Sequence, residues 1–350
     1  MKALREGFTT GSCAAAATLA CCLWQRDGAC PGQVSIVVPE GRTYTPEIIP
    51  HAGGRCGVVK DAGDDPDITD GMEIVVGVEL LPGEGAIEFA AGEGVGVVTE
   101  RGLKIPPGEP AVNPVPRRMI EDAVRSVFGA RAARVTVSIP GGAEAARRTF
   151  NPRLGIAGGL SILGTSGIVR PMSDAALRES MYLELQMRAR QGRRDVAFAF
   201  GNQGEAALRR LFPGLCVVQI ANEVGFMLDS AVELGIRRVL LGGHPGKLAK
   251  VAAGCMQTHS KYGDARREAI ITQLALARAP AALIDAVYAS ATTDAAISLI
   301  AEAGFGAVWD RLAAVARDYC RLRVRNELDV AVVFVDGRGE VLGLCREGWD

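Results

Sequence analysis

No long block of one charge sign occurs in this chain. Its 39 basic and 40 acidic residues nearly cancel, so nothing steers it toward nucleic acid or an anionic membrane, although a small acidic ligand stays open. Long apolar runs are missing too. The Ala-rich stretch of MKALREGFTTGSCAAAATLACCLW has polar caps and is too short for a membrane span or a signal-peptide core, and it reads as a helix of a cytoplasmic protein. Nine cysteines occur without C-x-x-C spacing. An odd number in a chain of this size argues against a disulfide framework and for small buried hydrophobes. Neither a Ser-His-Asp order nor a catalytic Cys-His pair stands out, and only three histidines are present at all. What remains, 48% hydrophobic and 23% charged residues over 350 positions, describes a globular chain of about two domains.

From about residue 33 to 100, β-branched runs (VSIVV, GMEIVVGVEL, GAIEFAAG, VGVVTE) alternate with Gly, Pro and Asp clusters, the pattern of strands joined by turns. A helix, MIEDAVRSVF, follows, and RVTVSIPGG is expected to pair with a strand near ARRTFNPRLGI. Residues 1–160 therefore read as an α+β domain with an antiparallel sheet. From about residue 173 strands alternate with helices: DVAFAF, CVVQIA, RRVLLGG and the closing DVAVVFVD, with KLAKVAAGCM among the helices. That rhythm predicts right-handed β-α-β units on a parallel sheet, so residues 161–350 read as an α/β, Rossmann-like domain. The Gly-rich NPRLGIAGGLSILGTSGIVRPMS lies between the halves, where ligand clefts are favoured.

Two of the histidines fall in LLGGHPGKLAKVAAGCMQTHSK, Leu240 to Lys261. As a phosphate loop the stretch fails: Leu241 stands where the first Gly is needed and Leu248 where the magnesium-binding Ser or Thr belongs. As a metal site, His244, Cys255 and His259 match no zinc spacing; one helix could bring Cys255 and His259 onto one face, while the plainer alternative has His259 capping or packing a helix. As a strand-to-helix turn it does better, with Gly242 and Gly243 at the turn, Pro245 at the first helical position, and helix amides facing a polar ligand. The same logic picks out FGNQG (Phe200 to Gly204) and QIANEVG (Gln219 to Gly225), because ligands bind at the carboxyl ends of parallel strands. In the first half, Thr9, Thr10 and Ser12 set hydroxyls beside a helix N-terminus, either for a carboxylate or simply as caps. The run Asp61, Asp64, Asp65, Asp67 and Asp70 beside Lys60 lacks EF-hand spacing and is either a polar turn or a place for a cation. Arg117, Arg118 and Arg153 flank Pro-rich turns, as carboxylate ligands or as solvated charge.

Five long strings, GFTTGSCAAAA, VVKDAGDDPDITDG, GEGVGVVTERGLKIPPGEPAVNPVPR, NPRLGIAGGLSILGTSGIVRPMS and GGHPGKLAKVAAGCMQTHSK, together closely resemble the cobalt-precorrin-5B C(1)-methyltransferase family, CbiD, from about Arg5 to the last helices. The resemblance implies an enzyme that moves a methyl group from S-adenosylmethionine to C-1 of a cobalt-bearing polycarboxylate tetrapyrrole, giving cobalt-precorrin-6A and S-adenosylhomocysteine. It implies two domains, the first forming part of the tetrapyrrole cleft and the second holding the donor. Cobalt then arrives within the substrate, so no protein-bound metal is required, and the partner is a small molecule rather than nucleic acid or a membrane; a homo-oligomer stays open. Ser12 stands where Thr is expected in the family, and both keep the hydroxyl.

No acidic residue followed by GxGxG marks a donor site, so the turns mark it: Gly201, Asn202, Gly204, Asn222, Glu223 and Gly243 are expected around the donor. His244, at a strand's carboxyl end, is the expected catalytic group that tunes the macrocycle by proton transfer or hydrogen bonding. Thr9, Thr10, Ser12, Arg117, Arg153 and Lys247 are expected to hold substrate. The competing expectation is a non-catalytic carrier or sensor of a tetrapyrrole or nucleotide.

Overall fold

Thr9 starts the first helix. Its hydroxyl accepts a hydrogen bond from the Ser12 amide at the head of α1 (Thr10–Asp27), and Gly28, at φ 79°, closes the helix by donating to the Trp24 carbonyl. Cys13, Ala14 to Ala17, Ala20, Cys21 and Cys22 are all at most 1% exposed, because small side chains let α1 lie close to α2 (Pro114–Phe128) and to the sheet beside it. The computed structural model describes residues 4–171, 173–347 and 349. Among them no helix is long and apolar enough to cross a membrane.

The chain divides into two compact units, Met1–Ala175 and Ala176–Asp350. The first holds a five-stranded sheet built from β1 (Ile49–His51), β2 (Arg55–Val59), β3 (Glu73–Glu84), β4 (Ile87–Ala91) and β5 (Arg131–Ser138), in the order β1-β2-β3-β5-β4. Period-two alternation decides its faces: Ala133, Val135 and Val137 enter the core with Ile74 and Val76, while Arg134 stays outside and pairs across the strands with Glu79 and Glu88. The expected antiparallel sheet needs correcting at one edge. β4 runs parallel to β5, since α2 intervenes and returns the chain in the same direction.

The strand expected near ARRTFNPRLGI is also absent. Gly142–Ala146 and Asn151–Leu154 are helical turns, and Pro152 within the expected strand has no amide to give a ladder. The short Ile156–Ala157 pairs instead with Val97–Val98. Ile168–Val169 pairs with Gly7–Phe8, which ties the Gly-rich segment to the first unit and puts the division after residue 175 rather than at 160.

The second unit holds β6 (Asp195–Ala199), β7 (Cys216–Gln219), β8 (Arg238–Gly243), β9 (Asp329–Val335) and β10 (Val341–Cys345), in the order β7-β6-β8-β9-β10. The first four are parallel, and β10 is added antiparallel to β9. Alternate side chains of β6 serve opposite faces. Val196 and Phe198 join the larger cluster with α3 (Asp174–Arg190), whereas Ala197 and Ala199 pack with Leu208 of α4 (Gly201–Leu211). Helices α5 (Val224–Glu233), α6 (Pro245–Val251), α7 (Arg266–Leu276), α8 (Ala281–Ala289), α9 (Thr293–Glu302) and α10 (Val308–Arg323) complete the unit. The helix expected over KLAKVAAGCM stops at Val251, with Gly254 at φ 83° just beyond it, so Cys255 and His259 share no helix.

Candidate active site

After β6 the chain turns to β7 on one side, and after β8 it turns to β9 on the other. The crevice at such a reversal is where open parallel sheets bind ligands. A pocket of about 520 Å³ lies there, lined by Phe200, Gly204, His244, Lys247, Asp336 and Arg338 among others. The glycines at the end of β8 are demanded by packing: a Cβ on Gly243 would sit 2.7 Å from Cδ2 of Phe200, and one on Gly242 would sit 2.5 Å from Cδ2 of Leu208.

His244 caps α6. Its Nδ1 accepts from the Gly246 amide at 3.1 Å, so in the neutral ring Nε2 carries the proton and donates to Oδ1 of Asp294 at 3.0 Å. The turn was expected to offer free amides, but the helix is seven residues long and its first amides already bond to His244. Side chains are what this turn presents to the pocket. Lys247 is half-buried, with Nζ 5.8 Å from the Phe200 ring centroid and 3.4 Å from the Ala221 carbonyl oxygen. Burial, and then the nearby Lys250, lowers its pKa. Ala221 itself is held at φ 46°, a left-handed backbone that disfavours a side chain.

The neighbouring turn is locked by its own residues. Glu223, with its side chain 5% exposed, accepts from Nε of Arg178 at 2.8 Å and also from Nε2 of Gln257. The Asn222 carbonyl accepts from the Thr258 amide at 3.0 Å and its Oδ1 from the Thr258 hydroxyl at 3.2 Å. Asn202, at the start of α4, accepts from Nε2 of Gln219 at 2.8 Å. His259 caps the turn Ser260–Tyr262 through Nδ1, which accepts from the Lys261 amide at 3.1 Å. Among the described residues no group of three His, Cys, Asp or Glu side chains could hold a metal.

In the first unit, the hydroxyls at the head of α1 are buried and bind backbone. Ser12 donates to the Gly167 carbonyl at 2.8 Å, and Thr10 accepts from the Leu163 amide at 3.0 Å. Thr9 packs so tightly that a Cβ on Gly164 would lie 2.2 Å from its Oγ1. Two of the unusual strings thus meet in space. Arg117 donates to the carbonyls of Val112 and Pro110 and to Glu109, over the Phe89 ring. Arg118 is exposed, and Arg153 lies half-buried on Asn151–Leu154. The acidic run is also engaged locally: Asp67 with Lys60 at 2.6 Å, Asp70 with the Ala62 amide at 2.8 Å, Asp61 with Arg5 and the Gly63 amide, and Asp64 with the Arg5 amide.

Gly204, His244 and Lys247 thus line one pocket; Gly201 opens the helix that carries Gly204, and Gly243 directly precedes His244. Asn222 and Glu223 stand on the turn that Lys247 touches, whereas Thr9, Thr10, Ser12, Arg117 and Arg153 belong to the other unit. Phe200 and Ala221 lie in the turns FGNQG and QIANEVG that the sequence marks, though not among the expected site residues, and the turn Asp336 to Gly339 is not marked there. The last carried the same signal as the others, glycines directly after a parallel strand.

Comparison with known proteins identifies the family. The CbiD family model matches residues 1–171, and the model for the CbiD C-terminal domain matches residues 257–346. A cobalt-precorrin-5B C(1)-methyltransferase from Thermoanaerobacter sp. (strain X514) is 46% identical over 309 residues, covering 87% of this chain and 84% of that protein. Another from Alkaliphilus metalliredigens (strain QYMF) is 40% identical over 353 residues, 99% of this chain and 93% of that protein. The 1.9 Å crystal structure of cobalamin biosynthesis protein (cbiD) from Archaeoglobus fulgidus aligns with TM-score 0.40 and 28% identity, over 71% of this chain and 80% of that one. With the similarity running along nearly all of both sequences in the curated relatives, this chain belongs to the CbiD family.

Proposed function

We propose that this chain methylates C-1 of cobalt-precorrin-5B with S-adenosylmethionine, giving cobalt-precorrin-6A and S-adenosylhomocysteine. The observation that carries the proposal is 46% identity, over 84% of its length, to a protein named for that reaction. The strand order and switch-point pocket of the second unit suit a Rossmann-like donor domain. The donor's sulfonium is an activated electrophile: the ring carbon forms a bond to the methyl group as the carbon–sulfur bond breaks, and its electron pair leaves on sulfur. Catalysis then rests on positioning and on exclusion of water.

In this proposal Gly201, Gly204 and Gly243 allow close backbone approach by the donor, and Asn202 and Asn222 present amides to it. Glu223, with both oxygens engaged, holds the turn. Lys247 lines the pocket of the second unit, and Arg153 of the first unit is read as a ligand for a substrate carboxylate. Thr9, Thr10, Ser12 and Arg117 act by fixing backbone, since their polar atoms already bond to carbonyls and amides. His244 offers Nε2–H, the contact to a 68% exposed Asp294 being the releasable one.

One observation favours a non-catalytic carrier instead: both His244 nitrogens already have partners. Incubation with S-adenosylmethionine and enzymatically made cobalt-precorrin-5B separates the two, because a carrier binds without adding the mass of a methyl group. Two variants isolate His244. Asn is a good helix cap and Ala is not, so His244→Ala is expected to lose about 1 kcal/mol of stability and His244→Asn almost none. Both should lose turnover; wild-type turnover in the Asn variant would reduce His244 to a cap.

A further inference from the structure

We infer that the pocket at the carboxyl edge of the second sheet selects a carboxylate, and that Lys247 is the group that selects it. The inference rests on the proposed ligand chemistry and adds which group is read. Three lysines are wholly or half buried in this molecule at described positions, and the other two are provided for. Lys60 has Asp67 at 2.6 Å. Lys250 donates to the carbonyls of Thr258 and Gly263 at 3.2 and 3.1 Å, with Asp264 4.0 Å away. Lys247 forms no ion pair among the described residues; its ammonium has the Phe200 ring on one side and a single long hydrogen bond to Ala221 on another.

A half-buried ammonium without a counter-charge is unfavourable unless something completes it. Two other charged groups of the pocket are committed elsewhere: Arg210 to the Gly339 carbonyl and Glu340, Asp336 to the amides of Arg338 and Glu340. Arg338 is exposed at the same turn. Lys247 therefore has N–H donors to give to a ligand while keeping its bond to the strained Ala221 turn, and an alkyl carboxylate fits both its charge and its donors. Two sources supply that chemistry, the aminoacyl carboxylate of the donor and the acetate or propionate arms of the tetrapyrrole.

Calorimetric titration of the full chain, wild type and Lys247→Met, with S-adenosylhomocysteine, with 5′-methylthioadenosine and with cobalt-precorrin-5B distinguishes them. Losing a charge-assisted bond should weaken binding by about tenfold or more. Loss for S-adenosylhomocysteine but not for 5′-methylthioadenosine, which lacks the carboxylate, assigns Lys247 to the donor; loss for the tetrapyrrole alone assigns it to the substrate. Lys247→Arg should recover part of either loss. A probe independent of the proposed reaction is the side-chain NMR signal of Lys247 during titration with propionate and with propionamide. A response to propionate alone supports the inference even if neither larger ligand binds, in which case the proposed reaction fails separately. Unchanged affinities in a folded Met variant, or equal response to acid and amide, overturns it.

Discussion

Lys60 is 2% exposed, and the carboxylate that neutralises it belongs to Asp67. Burial alone would push the Asp67 carboxyl up, but the Lys60 ammonium and the Thr69 amide and hydroxyl outweigh it and hold it below the usual carboxylate range. A folded value below the unfolded one, about 3.9, means that the pair stabilises fully above that pH. The contribution is lost as pH falls through the folded value. Asp67→Asn leaves a buried ammonium uncompensated and is expected to destabilise the chain by about 3 kcal/mol at neutral pH. Urea denaturation at pH 7 and at successively lower pH measures both effects: the variant should be weaker at pH 7, the gap to wild type should narrow as pH falls below the usual carboxylate range, and equal stability at pH 7 would sink the argument. The acidic run is conspicuous in the sequence, yet its spacing does not tell which carboxylate meets Lys60. That choice is made by the fold, which sets Asp67 next to the end of β2.

At the end of β8, two glycines are set by close packing. Gly243→Ala places a methyl group against Phe200, the ring that also backs Lys247. Overpacking of this kind costs about 1–3 kcal/mol, and it should move the ring into the pocket. A thermal melt of the variant beside its affinity for S-adenosylhomocysteine checks the point; an unchanged melt and affinity would mean that the ring shifts freely. Elements of this kind differ in how readable they are. The parallel strands of the second unit are legible because β-branched runs alternate with helices of ordinary length. β10 was missed because VLGLC carries a glycine that lets it lie against α10, where a Cβ on Gly343 would meet the Trp309 carbonyl carbon at 2.4 Å. In the first unit, VSIVV and VGVVTE shrink to the pairs Ile36–Val37 and Val97–Val98, since most of their length finds no partner strand. The turn at Ala221 was visible as a position but not as a strained one, for nothing in the letters QIAN marks a left-handed alanine.

At the scale of the molecule, each unit has its own apolar core, and the donor is proposed for the second. Hydrogen–deuterium exchange tests that assignment directly. S-adenosylhomocysteine should slow exchange at residues 200–204, 221–225 and 244–248 while β1 to β5 keep their rates. Protection confined to the first unit would reverse the assignment. The turns were findable from sequence because strand ends are findable. The partners of Glu223 and His244 were not, for Arg178 and Asp294 lie 45 and 50 residues away along the chain. The sheet of the second unit has a further consequence. With β6 packed on both faces, substitutions there mainly trade stability. A descendant that binds something else must change the rim after residues 199, 219, 243 and 335, so ligand choice can drift in these loops while the scaffold beneath them stays the same.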